Sequence, residues 1–200
     1  MAAADEFKDK TRHVHQQWQT DFTYFKVINW GWYYLSTIMD DYSRYIIAWE
    51  LSTNMETADA KRIVKTALKK TGLNTDNRPR LLSDNGSCYV SNEFQKFISD
   101  SKMGHVRGAP YHPQTQGKIE RYHRSIKNVV KLENYFFPDD LRANIEAFVD
   151  YYNNHRYHES LQNVTPADVY FGRAKEVLNR RKEIKFETIN KRRSMNRKSA

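Results

Sequence analysis

The sequence predicts an α/β fold in which one mixed sheet is covered by helices. Three observations predict it. The first third of the chain holds three runs rich in aromatic and β-branched residues joined by turn formers, the mark of neighbouring strands. Later segments place apolar residues at helical spacing. The two kinds of segment follow one another in the order βββ, α, β, α, β, α, α, which describes a layered sheet and helices rather than a bundle or a sandwich.

The elements follow in chain order. Residues 1–17 are polar and without period, a surface lead-in. Trp18 to Phe25 reads as the first strand, with Asn29 and Gly31 in the turn, Trp32 to Met39 as the second, and Arg44 to Leu51 as the third after the turn Asp40-Asp41-Tyr42-Ser43. Thr57 is placed to cap a helix burying Ala60, Ile63, Val64, Ala67 and Leu68, which Gly72 ends. Arg80 to Ser83 is a short apolar strand that ends on Asp84. Ser91 to Ser99 is a short helix, and His105 to Ala109 a fifth strand. A loop rich in glycine and proline leads to a long helix from about Gln116 to Leu132, with Ile119, Tyr122, Ile126, Val129 and Val130 on one side. A last helix starts near Pro138 and carries Leu141, Ile145, Phe148, Val149 and Tyr152. The four tryptophans, Trp18, Trp30, Trp32 and Trp49, are expected in the core.

Two hundred residues with 39% hydrophobic content can bury one sizeable core. The expected organisation is a lead-in (1–17), one domain (18–172) and a basic tail (173–200). No apolar run is long enough to cross a bilayer and residues 1–12 lack a secretory signal, so a soluble, cytoplasmic protein is expected. Cys88 is the only cysteine, which excludes an internal disulfide and a cysteine-based zinc knuckle. The net charge is +9, and from Arg173 onward eleven basic residues against three glutamates supply +8 of it. A near-neutral body with a basic tail suits a polyanion binder whose tail makes sequence-independent phosphate contacts; the plainer alternative is a solvated tail.

Three acids stand apart: Asp21 inside the first strand, Asp84 at the end of the fourth, and Glu120 one turn into the long helix. Three carboxylates gathered together repel one another unless a cation lies among them, and oxygen ligands select Mg²⁺ or Mn²⁺. Two such ions and three carboxylates leave one positive charge, which balances one phosphodiester and suits two-metal phosphoryl transfer. Along the long helix Gln116, His123, Arg124, Lys127 and Lys131 share the face of Glu120, as a helix lying along a nucleic-acid backbone requires. The plainer alternative is a solvated basic face. The preceding loop offers Tyr111, His112 and Gln114 to a nucleic-acid end.

These motifs resemble the catalytic core of the retroviral integrase and insertion-sequence transposase superfamily. Trp18-Gln19-Thr20-Asp21, Ser83-Asp84-Asn85-Gly86-Ser87 and Pro113-Gln114-Thr115-Gln116-Gly117-Lys118-Ile119-Glu120-Arg121 match its words, with 35 residues between Asp84 and Glu120. Tyr152-Asn153-Asn154-His155-Arg156-Tyr157-His158 with Thr165-Pro166-Ala167 is similar to OrfB-type insertion-sequence transposases. The resemblance implies a ribonuclease H-like fold and two metal ions, Mg²⁺ or Mn²⁺, bridged by Asp21 and held singly by Asp84 and Glu120. It also implies DNA strand cleavage followed by strand transfer, by a homo-oligomer assembled on transposon ends and target. Asn85, Gln116, Lys118, Arg124 and Lys127 match positions that approach DNA, and His112 and Gln114 join this set from the loop. A bacterial, nucleoid-associated location and a separate N-terminal DNA-recognition chain are further expectations. A nuclease that only hydrolyses and an inactive DNA-binding remnant are the competing readings.

Other residues are assigned structural roles. Asp40 and Asp41 are expected to bond their own turn. His155 and His158 lack a third soft ligand for zinc. Cys88 is read as a small buried residue rather than a nucleophile.

Overall fold

In the computed structural model, which describes residues 10–108 and 116–198, the five expected strands form one sheet in the order β3-β2-β1-β4-β5. β1 (Gln17–Val27), β2 (Gly31–Asp40) and β3 (Ile46–Ser52) make an antiparallel meander. β1 runs to Val27 because Lys26 pairs with Trp32 and Val27 with Gly31. Asn29 and Gly31 then close the turn at φ of 67° and 94°. β3 starts two residues later than the sequence suggests, since Arg44, at φ 67°, still belongs to the turn.

α1 (Thr57–Thr71) covers one face of the sheet and leads to β4 (Arg80–Ser83), which pairs parallel with β1. Its cap is Glu56, in a reciprocal box with Asp59, and not Thr57. The Thr57 hydroxyl instead reaches the Ser91 hydroxyl, 3.0 Å away. Gly72 ends the helix at φ 62°, with its N–H on the Leu68 carbonyl. A short helix absent from the sequence reading, α2 (Ser87–Val90), precedes α3 (Asn92–Asp100), whose first turn Ser91 caps through the Phe94 N–H. β5 (Gly104–Arg107) pairs parallel with β4. Ala109 lies outside the described residues.

α4 (Gly117–Val130) and α5 (Pro138–Asn154) cover the other face. They bury Ile119, Tyr122, Ile126, Leu141, Ile145 and Phe148 against Phe25, Val27 and Leu35, each full side-chain burial contributing about 1.5–3 kcal/mol. Trp18, Ile38, Ile63, Val64, Leu81, Tyr89 and Phe94 form the core under α1 and α3. Asn153 stitches α5 to the start of β3: its side chain accepts from the Ile46 N–H at 2.8 Å and donates to the Ile46 carbonyl at 3.1 Å.

Two larger findings also depart from the sequence reading. Two further helices follow α5: α6 (Pro166–Tyr170), capped by Thr165, and α7 (Ala174–Lys198), so the basic tail is helical from residue 174. α7 is mostly polar, its few apolar residues forming no single face, and Arg181 ties it to the body, donating to the Asn163 carbonyl and lying over the Tyr157 ring. The tryptophans also divide. Trp18 is fully buried and Trp49 partly, but Trp30, in the β1–β2 turn, and Trp32, at the start of β2, are 58% and 50% exposed. Among the described residues no helix is long and apolar enough to cross a membrane.

Candidate active site

The parallel ladder between β1 and β4 sets two of the acids side by side. Its last paired couple is Gln19 with Leu82, and two residues further along each chain stands an acid, Asp21 and Asp84. Asp21 lies within β1 and Asp84 just past the end of β4, near enough for the charge of one to act on the other. Gly86 secures the second acid: its N–H donates to Asp84 Oδ1 at 2.9 Å, and a Cβ on residue 86 would stand 2.9 Å from that same oxygen. Asp84 reaches solvent, yet loss of hydration beside neighbouring protein atoms raises its pKa. The Gly86 N–H opposes that rise and the charge of Asp21 adds to it. Cys88 is buried, as expected, and burial together with the nearby acids pushes its thiol up to about 11.

Glu120 is placed by the anchoring of the first turn of α4. Gln19 Oε1 accepts the Ile119 N–H at 3.1 Å, one of the donors a helix N-terminus leaves unpaired, while Gln19 Nε2 donates to Asp41 at 2.6 Å. Lys118 donates to the Asp41 carbonyl at 2.9 Å and to its carboxylate. With Ile119 and Tyr122 in the core, Glu120 turns outward into an open cleft of about 400 Å³ that Asp21, Thr23, Tyr24, His123, Arg124 and Lys127 also line. His123 is buried there with Nδ1 3.3 Å from Asp21 Oδ2. Its offset of three residues from Glu120 was the sequence signal for that place, but the site residues assigned from sequence did not include it.

Among the described residues no group of three or more His, Cys, Asp or Glu is gathered closely enough to hold a metal ion. The donor chemistry nonetheless fits a hard divalent cation. Asp21 and Asp84 are oxygen donors whose charges oppose one another, a conflict that a cation relieves. Glu120 shares the cleft of Asp21, though it is not drawn together with both aspartates.

The residues assigned to DNA contact fall into three groups. Arg124 and Lys127 line the cleft beside Glu120. Asn85, Gln116 and Lys118 have other surroundings: Asn85 donates to the Gly108 carbonyl at 2.9 Å, Gln116 is buried at the head of α4, and Lys118 is bound by Asp41. His112 and Gln114 lie outside the described residues. A larger cavity of about 1450 Å³, lined by Arg12, Arg44, Arg80, Lys118 and Lys182, holds none of the three acids.

Sheet order, flanking helices, and one acid within β1 with another just past the adjacent parallel β4 define a ribonuclease H-like fold. An integrase core domain family profile matches residues 11–113, more than half of the chain, and a second integrase core domain profile matches residues 101–166. The chain belongs to the integrase core domain family. It is 31% identical over 114 residues to the Gag-Pro-Pol polyprotein of Simian retrovirus SRV-1, a match covering 57% of this chain and 6% of the polyprotein. It is also 31% identical over 132 residues to that of Mouse mammary tumor virus (strain BR6), covering 64% and 7%. The chain thus spans a small fraction of these curated relatives. Its fold is similar to that of a chain in the simian T-cell lymphotropic virus intasome in complex with PP2A regulatory subunit B56 gamma. That match has a TM-score of 0.68 at 22% identity and covers 81% of this chain and 56% of that one. It is similar also to the HTLV-2 integrase catalytic core domain in complex with magnesium, in its dimeric form, with a TM-score of 0.61 at 20% identity, covering 79% and 97%.

Proposed function

We propose that this chain is the catalytic core of an integrase or transposase that cuts and joins DNA strands with a divalent metal. The observation that carries the reading is the position of Asp21 in β1 and of Asp84 just past the end of the adjacent parallel β4, with Glu120 turned into the cleft that Asp21 lines. The HTLV-2 integrase core is described in complex with magnesium and in a dimeric form, and the simian T-cell lymphotropic virus chain belongs to an intasome. Both support a Mg²⁺ or Mn²⁺ cofactor, two ions in our reading, and a working oligomer on DNA for this chain. The words around Asn153 and Thr165 support an enzyme of the insertion-sequence kind.

Asp21, Asp84 and Glu120 would hold the ions, which when bound polarise the phosphodiester and stabilise the leaving oxygen. The protein supplies the rest. His123 stands against Asp21 Oδ2 and fixes that carboxylate. Gly86 does the same for Asp84, and the Gln19 link fixes the turn that carries Glu120. Arg124 and Lys127, beside Glu120, take the phosphates on either side of the cut. In cleavage a water oxygen bonds to phosphorus as the bond to the 3′ oxygen breaks; the water loses a proton to solvent and the 3′ oxygen gains one. In transfer that 3′ hydroxyl attacks a phosphorus of a second duplex, one P–O bond replacing another, so no external energy source is needed.

Incubation with 3′-labelled DNA and plasmid in Mg²⁺ or Mn²⁺, beside Asp84→Asn, tests the reading. Nicked and joined products present in the wild type and absent from the variant are expected. Nicks without joining would favour a hydrolytic nuclease, and activity equal in both proteins would remove Asp84 from the chemistry.

A further inference from the structure

The hairpin that carries Asp21 ends in aromatic rings that the fold leaves uncovered. Tyr24, Trp32 and Trp30 are 48%, 50% and 58% exposed, while their neighbours Phe25, Val27, Tyr33 and Leu35 are buried on the opposite face. Large rings usually fill cores or interfaces, so an exposed group of them calls for an occupant. Tyr24 and Trp32 meet edge to face at 5.3 Å. Lys127 of α4 and Lys131, which follows its last residue, converge on the Tyr24 ring, with Nζ at 4.9 Å and 5.4 Å from its centroid. The group is continuous with the candidate active site, since Tyr24 and Lys127 line the cleft of Asp21 and Glu120.

We propose that Tyr24, Trp32, Lys127 and Lys131 form a stacking platform for unpaired nucleotides of a nucleic-acid end beside the active site. The proposal rests on the nucleic-acid reading above and adds to it a preference for strand ends that are open. Exposed rings next to cations match the two halves of a nucleotide, the base face and the phosphate. In a duplex the base faces are already stacked on one another, so the rings can reach them only where the strand is unpaired. The two lysines crowd each other: burial and then Lys131 hold the Lys127 pKa below its ordinary value, a strain that an incoming phosphate relieves. The same crowding argues against a second copy of the chain as occupant, because a twofold contact there would oppose two such lysine pairs.

The test uses the full chain without divalent ion, so that no strand is cut, and compares a blunt duplex with the same duplex bearing a short single-stranded extension. Stacking on an aromatic side chain predicts that the wild type binds the extended duplex at least about fivefold more tightly. Trp32→Ala should abolish this preference while leaving the blunt duplex affinity unchanged, and Trp32→Phe should keep most of it. Lys131→Gln should lower the salt dependence of binding to the extended duplex by about one phosphate contact. Thermal melting of each variant shows that it is folded. A wild type without the preference, or a folded Trp32→Ala protein that retains it, would overturn the platform. So would loss of self-association in Trp32→Ala with the preference intact, which would make the rings a protein contact. A Trp32-dependent preference in a protein that cuts no DNA in Mg²⁺ or Mn²⁺ would keep the platform and sink the enzymatic reading instead.

Discussion

Two groups of acids lie on this sheet, and they are built in opposite ways. Asp40 and Asp41, at the end of β2, are buried and saturated with donors. Asp40 accepts from the Ser43 N–H and hydroxyl and from the His15 N–H, and Asp41 accepts from Gln19, Thr11 and Lys118. Asp21, which lines the cleft, and Asp84, exposed just past β4, have little help. Asp21 has the adjacent Phe22 N–H and the His123 ring, Asp84 has the Gly86 N–H, and each carries the other's charge as a neighbour. The first pair is satisfied by the protein itself. The second keeps oxygen lone pairs and unbalanced charge for something the protein does not contain. The two pairs differ in burial and also in donors: the acids the fold uses for itself have a complete donor set, and the candidate functional ones do not.

The contrast is sharpened by removing one acid from each group. Asp41→Ala takes the partner from Lys118, whose pKa burial already lowers, and leaves the Gln19 amide without its acceptor. Losing one member of a largely buried ion pair should destabilise the fold by about 2–4 kcal/mol, read from urea unfolding. The first turn of α4 is tied down through the same residues, so DNA cleavage should weaken with stability. A variant as stable as the wild type would show that this network contributes nothing net.

The sequence separated the two groups, since Asp40 and Asp41 read as turn acids; Asp40 does bond Ser43 of its own turn, but the Asp41 carboxylate is bonded by Gln19, Thr11 and Lys118, none of them in that turn. Asp84 and Glu120 were legible because both lie in one stretch whose spacing and flanking words are specific, and Asp21 because an acid within an aromatic strand is conspicuous. Their meeting depends on the β1–β4 register, a pairing between distant segments that no local pattern specifies. Lys118 and Arg124 read alike as basic residues of one helix, but the partner that claims Lys118 lies 77 residues away. Trp30 and Trp32 read as core because strand aromatics usually are, and whether a helix covers that end of the sheet is again non-local. The helical tail was more accessible: after Gly172 the chain has no Gly or Pro and many Lys, Arg and Glu, all good helix formers.

A smaller effect comes from His158, a titratable group that belongs to neither pair of acids. Burial, with the charges of Arg156, Arg44 and Arg121 adding to it, lowers its pKa from 6.5 to about 4. Between those values the unfolded chain takes up a proton that the folded chain refuses. Stability is therefore full above about pH 6.5, falls as pH drops towards 4, and is flat below for this group. The loss should reach up to about 2–3 kcal/mol, and His158→Gln should remove that part of the pH slope whatever it does to stability at pH 7. If the slope persists in the variant, the acids rather than His158 govern acid unfolding.

The smallest expected change in stability has the opposite sign and bears most directly on the contrast. Asp84 is charged at neutral pH against the preference of its surroundings, since loss of hydration and the charge of Asp21 both raise its pKa. Asp84→Asn keeps the shape and removes the conflict, so the metal-free protein should melt slightly higher than the wild type, by less than about 1 kcal/mol because the side chain is exposed. Adding Mg²⁺ or Mn²⁺ should raise the melting temperature of the wild type and leave that of the variant nearly unchanged, since only a bound ion stabilises the folded state by mass action. The wild-type response should weaken as pH falls through the raised pKa of Asp84, because a protonated carboxyl is a poor ligand. A variant less stable than the wild type without metal would place Asp84 with Asp40 and Asp41, as an acid the fold needs for itself.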